Sequence, residues 1–287
     1  MASAVSTMIG YTLPEIGGER CPVSTFYHGD CLFVMRHDIP RESVDLIYLD
    51  PPFFTGKVQK GKWEPGAMEI SFDDSRQFWA EKGLHLTAPE WMKHLAVDQS
   101  RPDFASYLHY MMLRLGECRR VLKETGSIYL HCDSRASHYL KMVMDHVFKW
   151  RNFVNEIVWG YEDIGGRAVN YWKRKHDIIL FYQKSNERKF HRQAKPLSDS
   201  TLKRYGKYFD EEGKITYRRL RDTNPGVFLK LKGIPDDLDS VWIDRNRGQP
   251  LGDWWTDISA IRRGFDESTG YPTQKPEPLL ERVISAS

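Results

Sequence analysis

The sequence predicts an α/β fold built on a doubly wound, mostly parallel sheet, and three observations carry that expectation. Short apolar runs recur at Val44 to Leu49, Ser127 to Cys132, Phe153 to Trp159 and Asp177 to Tyr182. These have the length and texture of strands buried on both faces. Segments of helical period lie between such runs, the strongest beginning at Asp103. A chain of 287 residues, 40% hydrophobic and 13% aromatic, suffices for one large core with an insertion.

Taken in order, residues 1–22 show little periodicity and read as a frayed lead. Ser24 to His28 reads as a first strand ended by Gly29-Asp30, followed by a short helix over Leu32 to Arg36 and a turn at Asp38-Ile39-Pro40. With Val44 to Leu49 this makes a strand–helix–strand unit, which requires a parallel, right-handed crossover. The second strand stops at Asp50-Pro51-Pro52-Phe53-Phe54. Neither proline can continue a ladder, and Pro51 biases Asp50 towards an extended backbone. A carboxylate, a stiff backbone and two rings are thereby placed at the carboxyl end of a strand, the edge where open α/β sheets bind ligands. Were this motif alone, a capped turn with two core rings would be the simpler reading.

Residues 56–100 are polar, rich in Lys, Gly and Trp, and without a sustained period, so they read as a long loop. Asp103 then caps a helix whose Phe104, Tyr107, Leu108, Met111, Met112, Leu115, Val121 and Leu122 share one face. Lys123-Glu124-Thr125-Gly126 closes it with a glycine signal. After the strand Ser127 to Cys132, Asp133 or Ser134 caps a helix carrying Tyr139, Leu140, Val143, Met144 and Val147. Phe153 to Trp159 and Asp177 to Tyr182 bring the set to at least five strands. The core is thus expected over 23–184, with an insert at 185–252 and a return to the core at 253–287 that ends in a helix (Leu279, Leu280, Val283, Ile284).

The net charge of +3 conceals an asymmetry. Between Lys184 and Lys232 there are 14 Lys/Arg against 6 Asp/Glu, which leaves 28 against 33 elsewhere. One insert therefore carries the basicity of the molecule, and Phe190, Tyr205, Tyr208, Phe209, Tyr217 and Phe228 are interleaved with its cations. Cations alternating with aromatic faces suit phosphates plus bases, although a solvated basic face has the same composition. Lys203, Arg204, Arg218, Arg219 and Arg221 are its candidate nucleic-acid contacts.

Several chemistries lack their residues. Ten scattered histidines include no HxxxH or HExxH, and His131-Cys132-Asp133 are strand neighbours pointing to alternate faces, so no metal site is expected. Neither a nucleophile elbow nor a phosphate loop occurs. The four cysteines form no CxxC pair, no secretory segment opens the chain, and its apolar runs are too short to span a bilayer. The expectation is a reduced, cytoplasmic protein that does not enter a membrane.

At this point the residues resemble a family. Asp45-Leu46-Ile47-Tyr48-Leu49-Asp50-Pro51-Pro52-Phe53-Phe54-Thr55-Gly56-Lys57 is similar to the catalytic signature of the bacterial N4/N6 amino-methyltransferases of DNA. The resemblance extends to Tyr27 to Cys31, Arg120 to Asp133, Asn155 to Trp159, His176 to Tyr182, and Trp254-Trp255 through Tyr271-Pro272-Thr273-Gln274-Lys275-Pro276. The order of these pieces resembles the β-class arrangement of type III modification subunits.

The resemblance implies a Rossmann-like methyltransferase core that uses S-adenosylmethionine as methyl donor, with the basic insert reading duplex DNA. Asp50 and the Pro51 carbonyl would accept the two N–H bonds of an exocyclic amine, Pro51 and Pro52 would fix their geometry, and Phe53 would stack on a base flipped out of the duplex. Asp30, Asp50, Thr273, Gln274 and Lys275 match the donor-binding positions; a helix cap at Asp30 and a solvated turn at 273–275 are the plainer alternatives. His176-Asp177 reads as structural. Cytosine-N4 members of the family generally carry Ser at the position of Asp50, which favours adenine-N6. A non-catalytic DNA-binding fragment, a cytosine-N4 enzyme and an RNA enzyme are the competing readings, and a restriction subunit or a second copy of the chain is the partner implied. One element of the family pattern is absent: no G-x-G occurs anywhere, although a glycine loop should follow the final helix. The chain is therefore expected to be cut inside that helix and to bind the donor poorly alone.

Overall fold

A computed structural model describes residues 7–11, 24–63, 68–161, 170–261, 267–269, 271 and 273–287. The chain runs β1 (Thr7–Tyr11), β2 (Ser24–His28), α1 (Cys31–His37), β3 (Val44–Leu49), β4 (Lys57–Trp63), β5 (Met68–Asp74), α2 (Arg76–Lys82), α3 (Glu90–Val97), α4 (Pro102–Val121), β6 (Leu122–Cys132), α5 (Ser137–Phe148), β7 (Phe153–Gly160) and β8 (His176–Gln183). Residues 191–252 form a second compact unit with β9 (Ala194–Lys195), α6 (Asp199–Tyr205), β10 (Lys214–Thr216), α7 (Tyr217–Thr223), α8 (Pro225–Phe228), β11 (Val241–Asp244) and β12 (Gln249–Pro250). The first unit then resumes with β13 (Trp254–Trp255) and α9 (Glu277–Ala286).

The central sheet has the order β13-β7-β8-β6-β3. β3 pairs parallel to β6, and β13 parallel to β7, while β8 is antiparallel to both its neighbours. Four strands therefore share one direction and β8 alone is reversed, so the fold is α/β with a mostly parallel sheet. The ends of β3 and β6 and the start of β8 meet at one edge. Residues Ile128, Leu130, Ile178 and Leu180 point to a core shared with Phe104, Tyr107, Leu108, Met111 and Leu115 of α4 and Leu140, Val143, Met144 and Phe148 of α5. Each such side chain, taken fully out of water, contributes about 1.5–3 kcal/mol. On the other face Tyr129 stacks on Phe181 with ring centroids 4.2 Å apart, and its hydroxyl lies 2.7 Å from Ser287 Oγ, just past α9.

Several expectations change. Ser24 to His28 does not pair with β3; it pairs antiparallel with β1, which lies within the supposed frayed lead. Its Thr25-Phe26-Tyr27-His28 sequence lacks the unbroken apolar character of a buried parallel strand, and Phe26 is half exposed. β3 is half-buried along most of its length, because among the described residues it is the edge of the sheet. The long loop over 56–100 instead holds the β4–β5 hairpin and helices α2 and α3. Helix α4 starts with Pro102 at its first position; Asp103 sits inside the first turn, where its charge favours the positive helix end, and makes no cap bond. Gly126 does not close that helix but lies within β6, where a Cβ would meet Asp45 O and Lys123 O at 3.0 Å and Leu122 Cδ2 at 2.8 Å. The ladder between β3 and β6 shifts register there, and glycine permits the close approach. α5 begins at Ser137, one turn later than a cap at Asp133 or Ser134 would place it. Asp133 instead accepts from Arg135 N at 2.8 Å.

Asp74 ends the hairpin and is fully buried. Its carboxylate accepts from Thr55 N (2.6 Å), Thr55 Oγ1 (2.7 Å) and Trp79 Nε1 (2.8 Å). Asp74→Ala is expected to lower stability by about 3 kcal/mol, since three donors lose a charged acceptor. Asp74→Asn, which keeps one acceptor oxygen, should cost less. Urea unfolding of the two variants checks both.

Candidate active site

The chain leaves β3 through two prolines and then Phe54, whose φ of 56° is left-handed. That corner separates the two rings. Phe54 turns into the core against Phe104 (4.9 Å) and Tyr107 (5.4 Å), whereas Phe53 stays half-buried at the sheet edge. The Pro52 carbonyl accepts from the Tyr107 hydroxyl at 2.8 Å. Burial pushes the Tyr107 hydroxyl well above its ordinary pKa, so it remains a donor.

Under Phe53 lies a polar chain that the sequence reading did not assemble. The ring stacks on the imidazole of His131 at 5.4 Å and 28°. His131 has no exposed side-chain surface; its Nδ1 is 2.6 Å from the Tyr48 hydroxyl and its Nε2 is 3.0 Å from Asp177 Oδ2. Asp177 Oδ1 accepts in turn from the Tyr161 hydroxyl at 3.1 Å. Burial first, then the charges of Asp50 and Asp177, raise the Tyr48 pKa far above the usual range, so Tyr48 donates to Nδ1. The proton on Nε2 then points to Asp177, which assigns the tautomer from the network. Strand alternation signals only part of this arrangement: Tyr129 and His131 share one face of β6, and Tyr48 pairs with Tyr129 across the β3–β6 ladder.

The donor-binding candidates divide. Lys275 Nζ donates to Asp50 Oδ2 at 2.8 Å and to Thr273 O at 3.1 Å, and lies 5.0 Å from the centroid of Phe53. Its side chain is 9% exposed and that of Asp50 29%. Gln274 is spent on its own loop: Oε1 accepts from Thr269 N and Oγ1, each at 2.8 Å, and Nε2 donates to Glu267 O at 2.7 Å. Pro272 of the same motif lies outside the described residues. Asp30 is the N-cap of α1, accepting from Leu32 N at 2.7 Å, and also pairs with Arg114 Nη2 at 2.5 Å. The plainer alternative at Asp30 is thus present, yet its side chain is still 48% exposed. An ammonium for a carboxylate and a half-open carboxylate for an amine or hydroxyl fit the zwitterionic tail and ribose of S-adenosylmethionine.

In the second unit, Lys203 and Arg204 are exposed, the latter over the Tyr205 ring at 5.3 Å. The other three cations are engaged. Arg218 forks onto Asp239 (2.5 and 2.9 Å), Arg221 meets Asp222 at 2.9 Å, and Arg219 donates to Tyr208 O (2.6 Å) and Phe209 O (3.2 Å). The hydrogen bond from Arg218 holds the Asp239 carboxyl below its ordinary pKa. Exposed pairs of this kind are weak, so they do not bar exchange with phosphate. No group of His, Cys, Asp and Glu that could hold a metal ion occurs among the described residues, nor does a helix long and apolar enough to cross a membrane.

The sheet thus carries Asp50-Pro51-Pro52-Phe53 just past the carboxyl end of β3, beside Lys275. The sequence profile of the DNA methylase family matches residues 44–287, and the chain belongs to that family. It is 26% identical over 263 residues to the DNA adenine methyltransferase YhdJ of Escherichia coli, covering 92% of this chain and 67% of that one. It is 25% identical over 308 residues to the Mod subunit of the type III restriction-modification enzyme StyLTI of Salmonella typhimurium, covering 90% and 45%. The type II methyltransferase M.HinfI of Haemophilus influenzae is 28% identical over 173 residues, covering 58% of this chain and 40% of its own length. The chain thus spans about two thirds of the first relative and less than half of the other two. Methyltransferases of this family use S-adenosylmethionine and act on DNA.

The buried chain under Phe53 makes a quantitative prediction. In a double-mutant cycle of Tyr48→Phe and His131→Leu, the coupling energy should be about 1 kcal/mol, as for hydrogen-bonded neighbours. Urea unfolding of the four proteins measures it.

Proposed function

We propose that this protein transfers a methyl group from S-adenosylmethionine to the N6 amino group of adenine in duplex DNA, acting on a base flipped out of the helix. The observation that carries the reading is a carboxylate at the sheet edge, held by two prolines beside a half-buried ring, in a chain of this family. An exocyclic amine conjugated to a base is a poor nucleophile because its lone pair is delocalised. Asp50 Oδ and the Pro51 carbonyl accept its two N–H bonds, which turns the nitrogen towards sp³ and frees the lone pair. Phe53 stacks on the base, and Pro51 and Pro52 hold the acceptors so that the reacting atoms stay within about 3–3.5 Å. When bound, the donor supplies a methyl group on a sulfonium: the C–S bond breaks as the N–C bond forms, a neutral thioether leaves, and the amine, not deprotonated beforehand, loses its proton to solvent after transfer.

Lys275 and Asp30 are the residues that would hold the donor's tail and ribose. Gln274 supports the loop that carries Lys275, and Thr273 orients it through its carbonyl. The second unit supplies DNA contacts through Lys203 and Arg204, with Arg218, Arg219 and Arg221 beside them. Adenine is favoured over cytosine by Asp50 itself. The similarity to a type III Mod subunit supports a restriction subunit as partner, and the composition supports a cytoplasmic setting.

The test is tritiated methyl transfer to amplified, hence unmethylated, bacterial DNA, followed by hydrolysis and chromatography of the bases. Label in N6-methyladenine is expected. Label in N4-methylcytosine, or none while DNA binding persists, would overturn the adenine reading or the enzymatic one respectively. Asp50→Ala should abolish transfer and, measured without donor, leave DNA affinity within about twofold, because a base-edge acceptor contributes little beside phosphate contacts. Replacing Lys203 and Arg204 together with Ala should flatten the dependence of log K on log salt by about 1.8, if each neutralises one phosphate.

A further inference from the structure

Lys275 stands where the proposed reaction needs the target base. Its ammonium donates to Asp50 Oδ2 at 2.8 Å, as the exocyclic amine must, and it lies 5.0 Å from the Phe53 centroid. The side chain is 9% exposed, so this is a seated group and not a surface lysine that happens to pass. Its other acceptor is Thr273 O at 3.1 Å. Thr273 has φ 71°, a left-handed conformation that a β-branched residue adopts only when its surroundings impose it. The loop thus aims Lys275 into the base site.

We infer that Lys275 is a positioning residue that closes the base site until the methyl donor is bound. This rests on the methyltransferase reading above. Two anions compete for this cation. A single ammonium on a flexible stem can be drawn from Asp50 by a second carboxylate, the one on the donor's amino-acid tail. Once it has moved, Asp50 is free to accept from the base amine and the ring is free to stack. The exchange must come before chemistry for a second reason. As the methyl group arrives, the base nitrogen gains positive charge, and an ammonium on the same carboxylate would repel it. Donor and base are therefore coupled: each favours the state in which Lys275 has left Asp50. By linkage the donor tightens DNA binding by the same factor that DNA tightens donor binding.

The experiment has two arms. In the first, lysines of the purified protein are reductively methylated with formaldehyde and read by peptide mass spectrometry. Lys275 should label at least about tenfold more slowly than exposed Lys57 in the wild-type protein, as a buried, paired amine does. It should become reactive in Asp50→Ala and be protected again when S-adenosylhomocysteine, which keeps the tail carboxylate, is added. Fast labelling in the wild type, or no restored protection in Asp50→Ala, overturns the inference. In the second arm, Kd is measured for a duplex carrying the site mapped by the transfer assay, with and without S-adenosylhomocysteine. The wild type should tighten about tenfold, the scale of one charge-assisted hydrogen bond. Lys275→Met should bind tightly without the compound and gain little from it, while Lys275→Arg, whose fork grips Asp50 more firmly, should bind DNA no more tightly than the wild type without the compound and gain less from it. A wild-type protein that transfers methyl groups but shows equal coupling in Lys275→Met sinks the latch and leaves the methyltransferase reading intact. A wild-type protein that transfers none sinks that reading instead.

Discussion

The carboxylate of Asp74 accepts from Thr55 N, Thr55 Oγ1 and Trp79 Nε1 with no surface exposed to water, and the corner after β3 depends on it. Gly56 N also donates to Asp74 O at 3.0 Å, so both the side chain and the backbone of one residue grip the segment that follows Phe54. A clamp of that kind is needed because the corner is unfavourable by itself. Two prolines remove donors and restrict the backbone, and Phe54 must adopt a left-handed conformation. With Thr55 fixed, Phe54 is driven into the core and Phe53 is left outside it. Whether the Phe53 ring stays outside the core is thus decided about twenty residues downstream, by a buried acid on a hairpin.

This explains what the sequence could and could not reveal. The strands β3, β6, β7 and β8 and helices α4, α5 and α9 were visible because each is long, apolar and of one clear period. The hairpin β4–β5 was not, since Lys57 to Trp63 (Lys-Val-Gln-Lys-Gly-Lys-Trp) carries three lysines and a glycine, and its alternation is legible only once a partner strand is known. The direction of β8 escaped for a different reason: an apolar run has no polarity of its own, and the direction comes from the β7–β8 pairing of Gly160 with His176. Strand β2 misled because a strand before a helix and another strand suggests a crossover, whereas its mixed side chains allow pairing only at an exposed edge.

The site divides along similar lines. Asp50 and Phe53 could be singled out because a carboxylate, two prolines and a ring lie together in one tetrapeptide. Lys275 came within reach only through resemblance, and its contact with Asp50 spans 225 residues of sequence. The Tyr48–His131–Asp177–Tyr161 chain draws one residue from each of β3, β6 and β8 and a fourth from just past β7, and no spacing rule joins them. What does join them is the sheet. Parallel β3 and β6 in register, with antiparallel β8 beside β6, bring Tyr48, His131 and Asp177 to one face. A polar chain in such a place has to be fully satisfied, because a half-satisfied buried network costs more than an apolar one.

Asp30 and Asp50 illustrate how partner type sets the role of a carboxylate. Asp30 caps α1 and is held by Arg114, which is almost fully buried and lies 3.2 Å over the ring of Tyr110. A guanidinium with a stacked face and a fork of donors loses all of those contacts together if it moves, so Asp30 is fixed in place. Asp50 is held by the single ammonium of Lys275, a point charge on four rotatable carbons, which another anion can draw away without disturbing a stacked plane. A fixed acid suits a ligand that binds by shape and hydrogen bonding to a preset acceptor. An acid with an exchangeable partner suits a step in which the acceptor must be uncovered. Arginine at 275 would hold Asp50 by two parallel bonds and resist release, while lysine at 114 would give up both the stacked plane over Tyr110 and the second bond, to the Tyr110 carbonyl, that keep the cation beside Asp30 in place. The difference between Asp30 and Asp50 therefore lies less in the acids themselves than in how easily each one's cation can leave.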